Sequence, residues 1–446
     1  MTHKIPVTNI DSWIHKKIRG QGEKLTRRDL TRYQMAKFKE TLDFAMAHSP
    51  FYRKKLSWFL RKQIDKPSDI HILPFTYPQD IRNAPLDFIS VSQGEIARAV
   101  SLKTSGTTAS PKRIFFTEED LALTEDYFAH AMTDFVEPGQ TVMIFMPGGQ
   151  PASIGSLLRA GLRRIGVTGI APGPVTDIKK ARDLIAFHKP DCLIGIPTQI
   201  LQLARDERVG KVRKNSIKNV ILTADYVPSP ITTAITSAWG CRVFSHYGMT
   251  EMGYAGGVEC LAAKGYHFRE ADLYIEIIDP TSGKPVKEGE AGEVVFTTLT
   301  RRGMPLIRYR TGDNARFLTD PCPCKTALRR MEPVRGRLTG GVRLKNKTVL
   351  TIPALDEALF SLPGLLNYNA KIADGAATDT LKISLLTTSP DDTQTLHAAE
   401  SLLSKVPIIR EAIASDALKI GEISTDCVPI STTGMIKRTL TDQRVL

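Results

Sequence analysis

Thr141-Val-Met-Ile-Phe-Met146 opens a run in which short apolar strands alternate with amphipathic helices, and Arg242-Val-Phe-Ser245 closes it. Between these ends the pattern predicts helices over Ala152 to Arg164, Asp177 to His188 with Thr176 as its cap, Thr198 to Arg205, and Pro230 to Trp239. It predicts strands over Gly166 to Ile170, Cys192 to Ile196 and Asn219 to Thr223. Strands that are apolar on both faces need cover on both faces, and intervening helices supply it. The reading is therefore an α/β fold built on a largely parallel sheet covered by helices. Ligands of such sheets sit beyond the carboxyl ends of the strands.

Before this run, residues 23 to 48 read as a helix with Phe38, Leu42, Ala45 and Met46 on one face, ended at Ser49 by Pro50. A basic amphipathic element follows over Arg53 to Gln63, then a strand over Ile96 to Leu102 and an extended segment over Arg113 to Phe116. Thr117 can cap a helix whose first turn is acidic. After the run the pattern shortens to alternating strands at Leu273 to Ile278, Gly292 to Thr298 and Leu306 to Tyr309, a barrel-like β piece. Near Gly336 a new unit begins, with helices over Pro353 to Ser361, Asp391 to Ser404 and Ile408 to Ala414. Its strands are Tyr368 to Ile372, Leu381 to Leu386 and Leu418 to Ile423. The expected organisation is a large domain over 1–336 and a small, mobile α+β domain over 337–446.

The chain has 446 residues, 42% hydrophobic and 24% charged, enough for a substantial core. Its net charge of +13 is scattered, which suits an anionic substrate or cofactor and argues against nucleic acid, where a concentrated patch with interleaved aromatics is needed. Met1 to Arg19 lacks the apolar core of a secretory signal, and no apolar run approaches the ~20 residues of a membrane span, so a cytoplasmic location is expected. A homodimer is compatible with the sequence.

Three segments carry candidate chemistry. Thr104-Ser-Gly-Thr-Thr-Ala-Ser-Pro-Lys112 is a hairpin tip with little side-chain bulk, where backbone N–H groups, hydroxyls and one lysine suit a phosphate. It lacks the glycine and lysine spacing of a Walker loop. Ser245-His-Tyr-Gly-Met-Thr-Glu251 follows a strand end and offers a flat ring, a hydroxyl and a carboxylate, suited to a base, a phosphate and Mg2+. Arg308-Tyr-Arg-Thr-Gly-Asp313 places a carboxylate after a Thr-Gly turn, where it can take both hydroxyls of a ribose.

With these in place the chain resembles the adenylate-forming (acyl-CoA synthetase) superfamily, in its phenylacetate:CoA ligase-like branch. The resemblance covers nearly the whole chain in order: His48-Ser-Pro-Phe-Tyr-Arg53, Leu73-Pro-Phe-Thr76, the 104–112 loop, Tyr247-Gly-Met-Thr-Glu251, Glu276-Ile-Ile-Asp-Pro280, Gly292-Glu-Val-Val-Phe-Thr-Thr-Leu-Thr300 and Tyr309-Arg-Thr-Gly-Asp313. It implies that a carboxylic acid attacks the α-phosphate of ATP to give an acyl-AMP, which a thiol then captures. The thiol would be that of coenzyme A or, alternatively, of an acyl carrier protein. By this pattern Thr104, Ser105, Gly106, Thr107, Thr108 and Lys112 would hold the β- and γ-phosphates. Tyr247, followed by Gly248, would flank the adenine, Thr250 would meet the α-phosphate, Glu251 the Mg2+ and Asp313 the ribose. Arg337 would act near the ribose or phosphate at the hinge. The acid would lie against the Met146-Pro-Gly-Gly-Gln150 turn and Met252 to Gly257.

The chain departs from the family's pattern in three places. Ala109 stands where the loop has its second glycine. The hinge reads Gly336-Arg-Leu-Thr-Gly-Gly-Val-Arg-Leu-Lys345, without the usual acid. The C-terminal signature reads Gly434-Met-Ile-Lys-Arg438, with Met435 in the place of the adenylation lysine. Lys437, two residues along an extended strand and hence on the same face, is the expected substitute. The readings kept open are a slow first half-reaction, use of a preformed acyl-adenylate, and a non-catalytic nucleotide-binding homologue.

The six cysteines have no framework spacing, so thiols or metal ligands are expected rather than disulfides. Cys260, His267, Cys322 and Cys324 form a set suited to a structural zinc, with unligated surface thiols as the alternative. Cys192, Cys241 and Cys427 sit in apolar settings and read as core.

Overall fold

The structure, a computed structural model, describes residues 5–19, 24–58, 64–102, 111–205, 212–334, 336–375, 378–388, 393–427 and 438–444. It is an α/β protein whose residues group into two compact units that cut across chain order. One comprises Met1–Gln140, Gly148–Gly169 and Phe244–Val334, and the other Thr141–Pro147, Ile170–Val243 and Arg335–Leu446.

In the first unit, Thr26 caps the helix Arg27–His48 by accepting from the Asp29 N–H, and Ser49 ends it while capping the next helix, Pro50–Lys55. That second helix is shorter than the Arg53 to Gln63 element expected, and residues 59–63 lie outside the described part. Strands Ile96–Leu102 and Lys112–Thr117 pair antiparallel, with Leu102 opposite Lys112, so the hairpin expected around the 104–112 loop is present. Thr117 then forms a reciprocal cap with Asp120 and starts the helix Glu118–Met132. The strands Leu273–Ile278, Gly292–Thr298 and Tyr309–Ala315 make an antiparallel sheet. The last strand starts at Tyr309, where the Leu306 to Tyr309 reading had it end. Arg308 has a left-handed backbone (φ 47°), which breaks the extended chain at that point.

A second sheet of this unit joins the end of strand Arg242–Tyr247 to Gly257–Glu259, then Tyr266–Phe268, then Arg330–Met331, all antiparallel. The last three strands are too short to show a period in the sequence. Gly257 stands between Tyr247 and Phe268 in the register, and a Cβ there would lie 3.0 Å from the His267 carbonyl oxygen and 3.3 Å from the Phe268 ring. The bare glycine lets the Tyr247 ring approach those of the third strand.

In the second unit, Thr141–Ile144, Cys192–Gly195 and Asn219–Leu222 pair in parallel, as the alternation predicted. Helices Ile178–His188, Pro197–Arg205 and Ser229–Trp239 belong with them, and their inward faces share one core with the strands, from Met143 and Leu193 to the fully buried Trp239. Asp177, not Thr176, caps the first helix, since its carboxylate accepts from the Lys180 N–H at 2.9 Å. The C-terminal part is an α+β sandwich, with a sheet in the order Leu418–Cys427, Asp379–Thr387, Leu365–Ala373, Thr439–Asp442 and helices Ile352–Leu359, Thr393–Lys405 and Pro407–Ala414. Arg205 donates to the Phe360 carbonyl at 2.7 Å, and Arg438 bridges Asp225 (3.0 Å) and the fully buried Asp356 (2.7 Å).

Candidate active site

The first unit brings together three segments far apart in sequence. Lys112, at the start of the second hairpin strand, forms an ion pair with Glu251, and its ammonium also donates to the Tyr309 hydroxyl at 3.2 Å. The Tyr309 hydroxyl in turn donates to the same carboxylate oxygen of Glu251 at 3.1 Å. Glu251 is almost fully buried, on a single 3-10 turn, Thr250–Met252, that follows the strand end. Arg301 fixes that turn: it donates to the Glu251 carbonyl at 2.7 Å and to the Phe115 carbonyl at 3.1 Å, with its guanidinium 4.2 Å from the centre of the Phe116 ring. Burial pushes Arg301 down to about 10, still charged at neutral pH.

Beside this cluster the Tyr247 hydroxyl donates to Asp313 at 2.7 Å. The Tyr247 ring stacks near that of Tyr266 (5.9 Å between centres) and meets Phe268 edge-on at 6.1 Å. Asp313 is buried within the strand Tyr309–Ala315, next to Gly312, whose φ of 75° is a conformation only glycine adopts cheaply and falls where the pairing with Gly292–Thr298 shifts register. Its backbone N–H is taken by the Thr311 hydroxyl at 3.0 Å.

The arrangement supplies a cation beside a carboxylate, and next to them an aromatic ring tied to a second carboxylate. Lys112 can take an anionic oxygen, and Glu251 presents the hard oxygen donor that Mg2+ prefers. The Tyr247 ring and Asp313 suit a base and a vicinal diol. Thr250 and Gly248 lie in the same segment as Tyr247 and Glu251. Thr104, Ser105, Gly106, Thr107, Thr108 and Lys437 fall outside the described residues. Arg337 belongs to the second unit, in a turn where the Gly340 N–H donates to its carbonyl at 3.0 Å. Sequence reasoning passed over the roles of Tyr309 and Arg301. Tyr309 stands in the quoted Tyr-Arg-Thr-Gly-Asp segment, but only its long-range contacts place it in the cluster.

The expected metal-ligating set also converges. The ligand atoms of Cys260, His267, Cys322 and Cys324 lie within 4.8 Å of one another. All four side chains are buried, which removes the reading of surface thiols.

A profile of the AMP-binding enzyme family matches residues 97–299. The phenylacetate-coenzyme A ligase of Aromatoleum evansii is 30% identical over 71% of this chain and 72% of its own length. That of Escherichia coli is 30% identical over 69% of this chain and 71% of its own. Among solved structures, a 2-hydroxyisobutyryl-CoA ligase in complex with 2-HIB-AMP superposes with a TM-score of 0.79 at 20% identity, over 93% of this chain and 90% of that one. The fold is thus that of an adenylate-forming CoA ligase. The chain belongs to the phenylacetate-coenzyme A ligase family of AMP-binding enzymes.

Proposed function

We propose that this chain is an AMP-forming acid–thiol ligase that activates a carboxylic acid with ATP and passes the acyl group to coenzyme A. In the first step a carboxylate oxygen attacks the α-phosphorus, the bond to the bridging oxygen breaks, and pyrophosphate leaves. In the second the thiol sulfur attacks the acyl carbon and AMP leaves with the bonding pair. Two anions must meet in the first step, so fixed cations and donors matter more than a nucleophilic side chain. The single observation that carries the reading is the Lys112–Glu251–Tyr309 cluster beside the Tyr247–Asp313 pair, in a member of this family.

Lys112, with the 104–108 loop, binds the phosphates, Tyr247 packs on the adenine and Asp313 binds the ribose. Glu251 is the residue that would hold Mg2+, which when bound neutralises phosphate charge. Thr250 contacts the α-phosphate, and Lys437 and Arg337 serve the transfer from a small domain over 337–446. The acid is aromatic or short and hydrophobic, and Met252 to Gly257 form one wall of its pocket.

Exchange of labelled pyrophosphate into ATP, measured against a panel of arylacetic, benzoic and short branched acids, tests this. Exchange with at least one acid is expected, with thioester formation on adding coenzyme A. Silence across the panel with AMP binding intact would sink the ligase reading and favour a nucleotide-binding homologue. Transfer only to a phosphopantetheinyl protein would replace coenzyme A by a carrier.

A further inference from the structure

The Cys260, His267, Cys322 and Cys324 cluster has the dimensions of a tetrahedral site. A zinc with bonds of about 2.3 Å to sulfur sets its ligands about 3.8 Å apart. Here Cys260 Sγ and Cys322 Sγ are 3.6 Å apart, and Cys324 Sγ and His267 Nε2 are also 3.6 Å apart. A carbonyl can only accept, so the 3.3 Å contact between His267 Nδ1 and the Arg329 oxygen places the proton on Nδ1 and turns the Nε2 lone pair toward the sulfurs. Three thiols and one imidazole are the donor set that zinc favours over harder cations.

The neighbours of His267 give this site a second meaning. Side chains alternate along a strand, so within Tyr266–Phe268 the imidazole points to one face and the rings of Tyr266 and Phe268 to the other. Both of those rings contact Tyr247, whose hydroxyl holds Asp313. His267 also lies opposite Val258 and Arg330, so it sits within a ladder and its position sets the strand's. Cys322 and Cys324 come from a separate loop, and the partly buried Ile5 of the N-terminal segment packs on the same cluster.

We propose that these four residues bind one zinc ion, and that the metal, by anchoring the Tyr266–Phe268 strand from its far face, positions the Tyr247 ring and Asp313 for the nucleotide. The second half rests on the nucleotide site described above; the first does not. His267 is thereby a positioning residue as well as a ligand.

The test uses the full chain as purified. Its zinc content is measured, and the metal is then exchanged for cobalt and the visible spectrum recorded. One metal per chain is expected, with the thiolate-to-cobalt charge-transfer band and intense visible bands of a tetrahedral site. A folded chain without metal, or cobalt without a thiolate band, would overturn the site. AMP affinity is then measured by calorimetry on the zinc form, on the chelator-stripped form checked for folding by circular dichroism, and after zinc is returned. A loss of about tenfold or more that zinc reverses is expected. Cys324→Ser should lose both metal and affinity, whereas Phe268→Leu should keep the metal and lose affinity. A stripped, folded chain that binds AMP as the zinc form does would overturn the positioning role. If the zinc form itself does not bind AMP, the nucleotide reading fails and the positioning role with it, while the metal result stands.

Discussion

Glu251 is a nearly buried carboxylate whose Oε1 meets a lysine ammonium and a tyrosine hydroxyl, while an arginine holds its own carbonyl. The cluster is mutually supporting: the Tyr309 hydroxyl accepts from Lys112 and donates to Glu251, so one oxygen orients both charges. Tyr309→Phe deletes that relay without opening a cavity and should cost about 1 kcal/mol of orientation. A fall of about fivefold in pyrophosphate exchange is expected with little change in melting temperature. An unchanged exchange rate would remove Tyr309 from the site. At this scale the sequence was legible where short segments bring several members of the cluster together, as with Tyr247 to Glu251 and Tyr309 to Asp313. Arg301 was not, because its importance lies in reaching the Phe115 carbonyl, 186 positions away.

At the scale of elements, the buried Arg308–Glu276 pair fastens the strand Leu273–Ile278 to the irregular stretch before the hairpin. Arg308 makes a two-pronged contact with Glu276 at 3.0 and 3.1 Å, and the same guanidinium donates to the His71 and Leu73 carbonyls at 2.9 and 2.6 Å. Removing one partner of such a pair leaves a charge stranded in the interior. Glu276→Ala should therefore destabilise the fold by about 3–5 kcal/mol, read as a shift in the urea midpoint. Arg308→Lys should also be poorly tolerated, since an ammonium cannot reproduce the planar fork. A midpoint unmoved by Glu276→Ala would show that the carbonyls alone satisfy the guanidinium. The Arg308 break also explains why the last strand of that sheet was misplaced by pattern alone: the alternation continues through a residue whose backbone does not.

For the whole molecule, the pH dependence of stability has a clear source in His246, on the strand that leads to Tyr247. Burial, with the Arg269 cation adding to it, pushes this imidazole down to about 4. Its unfolded value is about 6.5, so the folded state holds fewer protons between the two. The stability it contributes is fully present above pH about 6.5 and is lost as pH falls through about 4. The difference amounts to about 3 kcal/mol. Urea unfolding at pH 7 and pH 4 should show that loss, and His246→Gln should flatten the slope; a wild-type slope retained by the variant would assign it to other groups.

The sequence by itself determined most of the longer elements, the parallel α/β run and the segments that supply the candidate site, because periodicity, caps and short motifs are local. Only the tertiary structure decided that Lys112 meets Glu251, that four ligands from positions 260 to 324 converge, and that the Tyr247 ring lies against the strand carrying His267. These pairings join residues separated by long stretches of chain, and no local pattern encodes which distant segments close on one another. That choice is made by packing, through the bare Gly257 and the buried Arg301, once the whole core is formed.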